Sequence, residues 1–151
     1  MIVFKPCEGW HLRLIKPQDS QVVDQNFHAD GFDEISANSL ALSCWVNDTC
    51  VGAAGIRPIW EGRAVAWAFL GRDAGPAMVA IAKKLRFVIA TYPARRLELT
   101  VRANFEPGCR LAALLGFRAE ARLLGFFPDG ADADLFARIR GETEGQTYVH
   151  A

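Results

Sequence analysis

Apolar and polar positions alternate with several different periods along this chain. Residues 11–15 read His-Leu-Arg-Leu-Ile, a period of two that predicts a short strand, closed by Lys16, Pro17, Gln18 and Asp19. Asp19 or Ser20 then suits the cap of a helix over 21–29, with Val22, Val23 and Phe27 on its inner side. Residues 30–38 mix Gly31 with scattered charges and carry no firm pattern. From Ser39 the signal is that of strands: 40–46, a three-residue turn at Asn47-Asp48-Thr49, 50–57 limited by Pro58, a turn at Glu61-Gly62, then 64–70. These three read as an antiparallel meander.

After residues 71–76 the period becomes helical. Met78, Val79, Ile81, Ala82, Leu85, Val88 and Ile89 recur at steps of three and four, Lys83, Lys84 and Arg86 take the remaining arc, and Pro93 ends the helix. Residues 96–102 alternate as a strand, with Leu97, Leu99 and Val101 to one side and Glu98, Thr100 and Arg102 to the other. Pro107 fits the first turn of a helix running to Leu115, and Gly116 supplies a left-handed closing residue. A strand pair over 117–126 and 134–139 follows, and the tail from Gly141 is polar. The order β α (α) β β β α β α β β predicts an α/β (α+β) domain. Its central sheet is mixed but mostly antiparallel, with helices on both faces. No repeat or linker divides the chain, so residues 1–140 are expected to form one domain and 141–151 a tail.

Composition narrows the functional classes. Seventeen Lys and Arg balance seventeen Asp and Glu, which supplies no general field for nucleic acid or an anionic membrane. No apolar run approaches the roughly 20 residues that span a bilayer, and residues 1–16 lack the apolar stretch of a signal peptide. Cys7, Cys44, Cys50 and Cys109 form no CxxC pair, so reduced thiols in a cytoplasmic protein and no metal site are expected. Only Cys44 and Cys50, on either side of a turn, are close enough in sequence to invite a disulfide.

LELTVRAN at 97–104 followed by RLAALLGF at 110–117 resembles the GNAT acyltransferases, in which a strand ending near an Asn precedes a short helix closing on Leu-Gly-Phe. LRLIKPQD at 12–19 is similar to that family's first strand and turn. RLAALLGF with GFFPDG at 125–130 and DLFAR at 134–138 resembles GNAT-like proteins of tailed phages and prophages. The resemblance spans 9–140 and implies acetyl-CoA as cosubstrate and direct transfer of acetyl to a small-molecule or protein amine, and it leaves a homodimer open. The implied compartment is the cytoplasm, that of the host if the gene is a phage's. The other reading is a catalytically silent GNAT-like protein with a virion-associated or host-interaction role. A coenzyme A sensor without turnover is a third.

The implied site residues can be named. In the family the connection after the fourth strand binds pyrophosphate through backbone N–H groups at a helix N-terminus. Here that connection is GRDAGPA at 71–77, with Gly71, Arg72, Asp73, Ala74, Gly75 and Ala77 as coenzyme contacts and Pro76 lacking a donor. The amides of Phe69, Leu70 and Gly71 are expected at the acetyl carbonyl, Asn104 at the pantetheine arm and Arg110 at the phosphates. Many family members carry a Tyr four residues before the Gly-Phe pair to protonate the leaving thiolate; that position is Ala112. A base that deprotonates the amine is expected at Glu61 or Glu98. Trp45, Trp60 and Trp67 are core aromatics or, alternatively, the wall of an acceptor site.

Overall fold

A computed structural model describes residues 1–18 and 39–141. The helix expected over 21–29 and the tail beyond Gly141 lie outside the described residues. Seven strands form one sheet: β1 (Ile2–Pro6), β2 (Leu40–Val46), β3 (Thr49–Trp60), β4 (Arg63–Leu70), β5 (Arg96–Arg102), β6 (Arg118–Leu123) and β7 (Ala133–Ile139), in the spatial order β1-β2-β3-β4-β5-β7-β6. All neighbours are antiparallel except β4 and β5. The described helices are α1 (Gly9–Leu14), α2 (Met78–Thr91), entered through a 3-10 turn at Gly75–Ala77, and α3 (Glu106–Leu114).

Three local expectations are corrected. Residues 11–14 belong to α1, and the first strand is Ile2–Pro6. The deciding feature is the cap: Glu8 N–H donates to His11 Nδ1 at 3.1 Å, and His11 N–H to Glu8 O at 2.9 Å. His11, Leu12 and Ile15 are then buried at helical spacing. Second, the β2–β3 turn has two residues. Asn47 (φ 46°) and Asp48 (φ 69°) both take the left-handed conformation that a primed hairpin turn requires, and Val46 pairs with Thr49. Third, β3 runs through Pro58 to Trp60. The β2 ladder ends at Leu40↔Ile56, so the N–H that Pro58 lacks falls beyond the paired register.

The alternation of side chains along the strands sorts the core by face. Trp67 and Phe69 of β4 pack with Leu12, Ile15 and Trp45 on the α1 face. Leu70 packs with Ala74, Ala77 and Ile81, and Ala64 with Ile89, Leu97, Ala112, Leu115 and Phe136, on the face covered by α2 and α3. Helices thus cover both faces, as the sequence predicts. Cys44 and Cys50 fall in different clusters, and all four cysteines are free thiols.

Candidate active site

The parallel ladder between β4 and β5 has only three rungs: Arg63↔Arg96, Ala64↔Leu97 and Val65↔Glu98. Beyond Val65 the strands part, β4 held to β3 and β5 to β7. A cavity of about 730 Å³ opens there, lined by 65–70 of β4 and 99–102 of β5. Met78, Leu85, Val88 and Ile89 of α2, Leu111 and Ala112 of α3, Leu115, Phe105 and the loop 126–128 also line it, with Leu40, Leu42 and 54–56 of β2 and β3. Peptide groups alternate along a strand, and Arg96 N–H donates to Gly62 O at 2.9 Å. Even-numbered residues of β4 therefore turn their N–H and C=O toward β5, and odd-numbered ones toward β3. Leu70 presents its peptide to the opening, where Gln18 Nε2 donates to its carbonyl at 2.7 Å. Gly71 faces the other way and donates to Val51 O at 2.8 Å.

The loop 71–77 lies between the end of β4 and α2. Arg72 N–H donates to Lys16 O (3.0 Å), Ala74 N–H to Gly71 O (3.0 Å) and Ala77 N–H to Ala74 O (2.9 Å). Asp73 and Gly75 keep the N–H groups that reach no backbone acceptor among the described residues. Asp73 pairs with Lys16 (3.8 Å) and makes no helix cap. Gly71 is a packing glycine: a Cβ there would sit 2.8 Å from Ile15 Cγ2 and from Lys16 O. Gly75 has nothing within 4 Å of that position, so its side is open to close approach. No acidic residue occupies the first turn of α2, leaving the positive end of its dipole uncompensated there.

At the vertex of the opening stands an ion-pair network. Arg63 donates to Glu98 from Nε and Nη2, both at 2.9 Å, and Arg96 Nε donates to Glu98 Oε1 at 2.6 Å. Arg96 also holds Glu120 with two bonds of 2.8 and 3.0 Å, and Arg63 stacks on Trp60 at 4.4 Å. The Arg63 hydrogen bonds, helped by those of Arg96, pull the Glu98 carboxyl down to about 2. A carboxylate so held is a weak base, and Glu98 does not line the cavity. Glu61 is exposed in the β3–β4 turn, at the far end of β4, and does not line it either. Among the described lining residues Arg102 is the sole ionisable side chain, bonded to Asp129 at 2.9 Å with its guanidinium 4.6 Å from the Phe127 ring centre.

No family model matches this sequence, and no curated protein does. Solved structures do. Ard1 from Thermoplasma volcanium is 14% identical with a TM-score of 0.72, over 91% of this chain and 97% of that one. The ribosomal-protein-S18-alanine N-acetyltransferase of Escherichia coli is 17% identical with a TM-score of 0.68, over 99% and 100%. Mycobacterium smegmatis RimJ, in complex with CoA-disulfide, is 18% identical with a TM-score of 0.62, over 92% and 82%. The fold is that of the GNAT acetyltransferases. Those three neighbours share it at identities that carry architecture alone.

Within this GNAT fold the expected site residues divide into groups. Phe69 and Leu70 line the cavity, Leu70 alone by peptide orientation as well as position. Gly71, Arg72, Asp73, Ala74, Gly75 and Ala77 form the loop before α2, with Arg72 exposed. Asn104 is exposed with φ 66° in the turn before α3, where Phe105 N–H donates to Arg102 O, and Arg110 is exposed on α3. Neither Asn104 nor Arg110 lines the cavity, whereas Ala112 does. The sequence reading passed over Met78, Thr100, Arg102, Phe105 and Phe127 as lining residues. The advance signal for two of them was aromatic residues three to four positions past strand ends, at Phe105 and at Phe126-Phe127.

Proposed function

We propose that the protein transfers an acyl group from a coenzyme A thioester to an amine. The observation that carries this is the opening between β4 and β5, where the parallel ladder ends at Val65, reached past the loop at the α2 N-terminus. The pantetheine amides need hydrogen-bond partners, and strand edges past the last rung supply them. The α2 dipole and the Asp73 and Gly75 amides favour the pyrophosphate, with Arg72 as counter-charge.

Transfer is direct. The amine nitrogen adds to the thioester carbonyl, forming the C–N bond, and the tetrahedral intermediate then expels the thiolate as the C–S bond breaks. The Leu70 N–H, turned into the opening, is placed to stabilise the oxyanion. Burial raises the Cys109 thiol, with Asp134 adding to the shift, so no thiolate stands ready for a covalent relay. No carboxylate or imidazole lines the cavity among the described residues. In this reading the ammonium proton leaves to water, and water protonates the departing thiolate.

The test is calorimetric titration with acetyl-CoA, then thiol release with a panel of amines. Absence of binding at millimolar coenzyme overturns the reading. The second reading, a catalytically silent phage-type protein, is favoured by the loop amides already bonded internally and by Ala112; binding without release from any amine is its signature. An acyltransferase working in the cytoplasm on a small-molecule or protein amine, as monomer or homodimer, completes the first reading.

A further inference from the structure

We propose that the amine acceptor of this site also carries a carboxylate, as a small amino acid does, and that the guanidinium of Arg102 receives it. The proposal rests on the coenzyme A reading above and specifies the acceptor.

The two faces of the opening differ in chemistry. Leu99 and Val101 pack into the core under α2 and α3, so alternation turns Thr100 and Arg102 to the α1 face, the face of Trp67 and Phe69. The loop 71–77 belongs to the other face, where Ala74 and Ala77 pack with Leu70 and Ile81. A coenzyme held at that loop leaves the α1 face to the acceptor. Carried four residues past Val65↔Glu98, the parallel register sets Arg102 level with Phe69, across the opening from the Leu70 peptide assigned to the carbonyl. Among the described lining residues the one charged side chain is therefore a cation at the level of the attack. A second ammonium on the acceptor would be repelled there, whereas a carboxylate would be attracted.

Arg102 is held firmly, and its present partner is one that a substrate can replace. Its guanidinium lies 4.6 Å from the Phe127 ring centre. Both oxygens of Asp129 accept from the single nitrogen Nη1, at 2.9 and 3.2 Å. The stronger arrangement for a carboxylate is the parallel contact with two guanidinium nitrogens. The Asp129 side chain is 39% exposed and also accepts the Ala131 N–H at 3.1 Å, so it keeps water and one donor when it yields Arg102. The turn that carries it is braced by other bonds: Phe127 N–H donates to Ala131 O at 3.0 Å, Gly130 N–H to Phe127 O at 2.8 Å and Gly125 N–H to Asp132 Oδ1 at 2.9 Å. An incoming carboxylate takes the guanidinium from Asp129 while Phe127 stays in place.

The experiment measures thiol release from acetyl-CoA by the full chain with matched acceptors: L-phenylalanine against phenethylamine, β-alanine against ethylamine and γ-aminobutyrate against propylamine, with spermidine as the polyamine. The best acid is expected to exceed its carboxylate-free partner about tenfold or more in kcat/KM, with most of the difference in KM. Arg102→Gln is expected to bring that ratio near one, and Arg102→Lys to restore part of it. Asp129→Asn removes the competing carboxylate from an exposed turn and is expected to raise the ratio; a ratio that stays or falls refutes the exchange, whether or not the Arg102 variants fold. Release from spermidine or the plain amines that equals or exceeds release from every acid overturns this proposal and leaves the coenzyme reading standing. Calorimetric binding of acetyl-CoA without release from any acid does the same. No binding of acetyl-CoA overturns both.

Discussion

Replacing Glu98 by Gln tests whether the vertex of the opening is held by charge. The carboxylate accepts three hydrogen bonds from Arg63 and Arg96 in a site where its residue is 8% exposed. Its carboxyl is lowered from 4.5 to about 2, first by Arg63 and then by Arg96. That difference corresponds to about 3 kcal/mol of stability at neutral pH. The sign follows from the direction: a depressed carboxylate stabilises the fold above its unfolded value and loses that contribution as pH falls from about 5 toward 2. Arg96 keeps Glu120 and Arg63 keeps Trp60 in the variant, so the loss should not exceed this figure. Urea unfolding at pH 7 should show E98Q about 2–3 kcal/mol less stable than the native chain, and the gap should shrink to about half at pH 3. A gap that does not change with pH would refute the electrostatic account and leave packing as the cause. A gap below about 0.5 kcal/mol would refute the clamp altogether.

Three further outcomes are expected. Gly71→Ala places a methyl 2.8–2.9 Å from Ile15, Lys16 and Val51 and should cost about 1–3 kcal/mol by urea titration, whereas Gly75→Ala, with open space around it, should leave stability within about 0.5 kcal/mol and weaken coenzyme A binding by calorimetry. Buried His11 is pushed down mainly by desolvation, so the fold favours the neutral ring. Its contribution is whole above pH 6.5 and is lost as pH falls below it; Tm should drop between pH 7.5 and 5.5, and a His11→Asn variant should flatten that slope. Ala112→Tyr puts a phenol at the cavity wall, and turnover of acetyl-CoA with a working amine should rise by about a hundredfold at a pH where the phenol is protonated.

Much of the architecture was readable in the sequence because each element carried a local signature. The helical steps from Met78 to Ile89, the alternation over 96–102 and the Pro107 to Gly116 bracket all correspond to observed elements, with Gly116 at φ 90°. The first strand was misread for a physical reason. HLRLI alternates equally well for a strand, and the information that selects a helix lies in Glu8 and His11 meeting at the cap. That contact depends on the tertiary setting, since Ser43 Oγ also reaches His11 Nδ1 at 3.0 Å while accepting Trp45 Nε1 at 2.9 Å. Because the Glu8 N–H already points at Nδ1, that nitrogen is an acceptor and the ring proton sits on Nε2.

The site was less readable than the fold, and the reason is specific. Glu98 alternates with Leu97 and Leu99 like any outward residue, and nothing local distinguishes a base from a clamp. What distinguishes them is that Arg63, 35 positions earlier and on the first rung of the parallel ladder, reaches Glu98 on its last rung. The same rung decides where the strands part, so the charged network and the apolar cavity are two consequences of one register. Up to Val65 the β4–β5 peptides satisfy one another; beyond it the strands part, and the Leu70 carbonyl accepts from Gln18 Nε2 instead. If E98Q loosens the vertex without unfolding the sheet, coenzyme affinity measured by calorimetry should fall, because the clamp fixes where the opening begins.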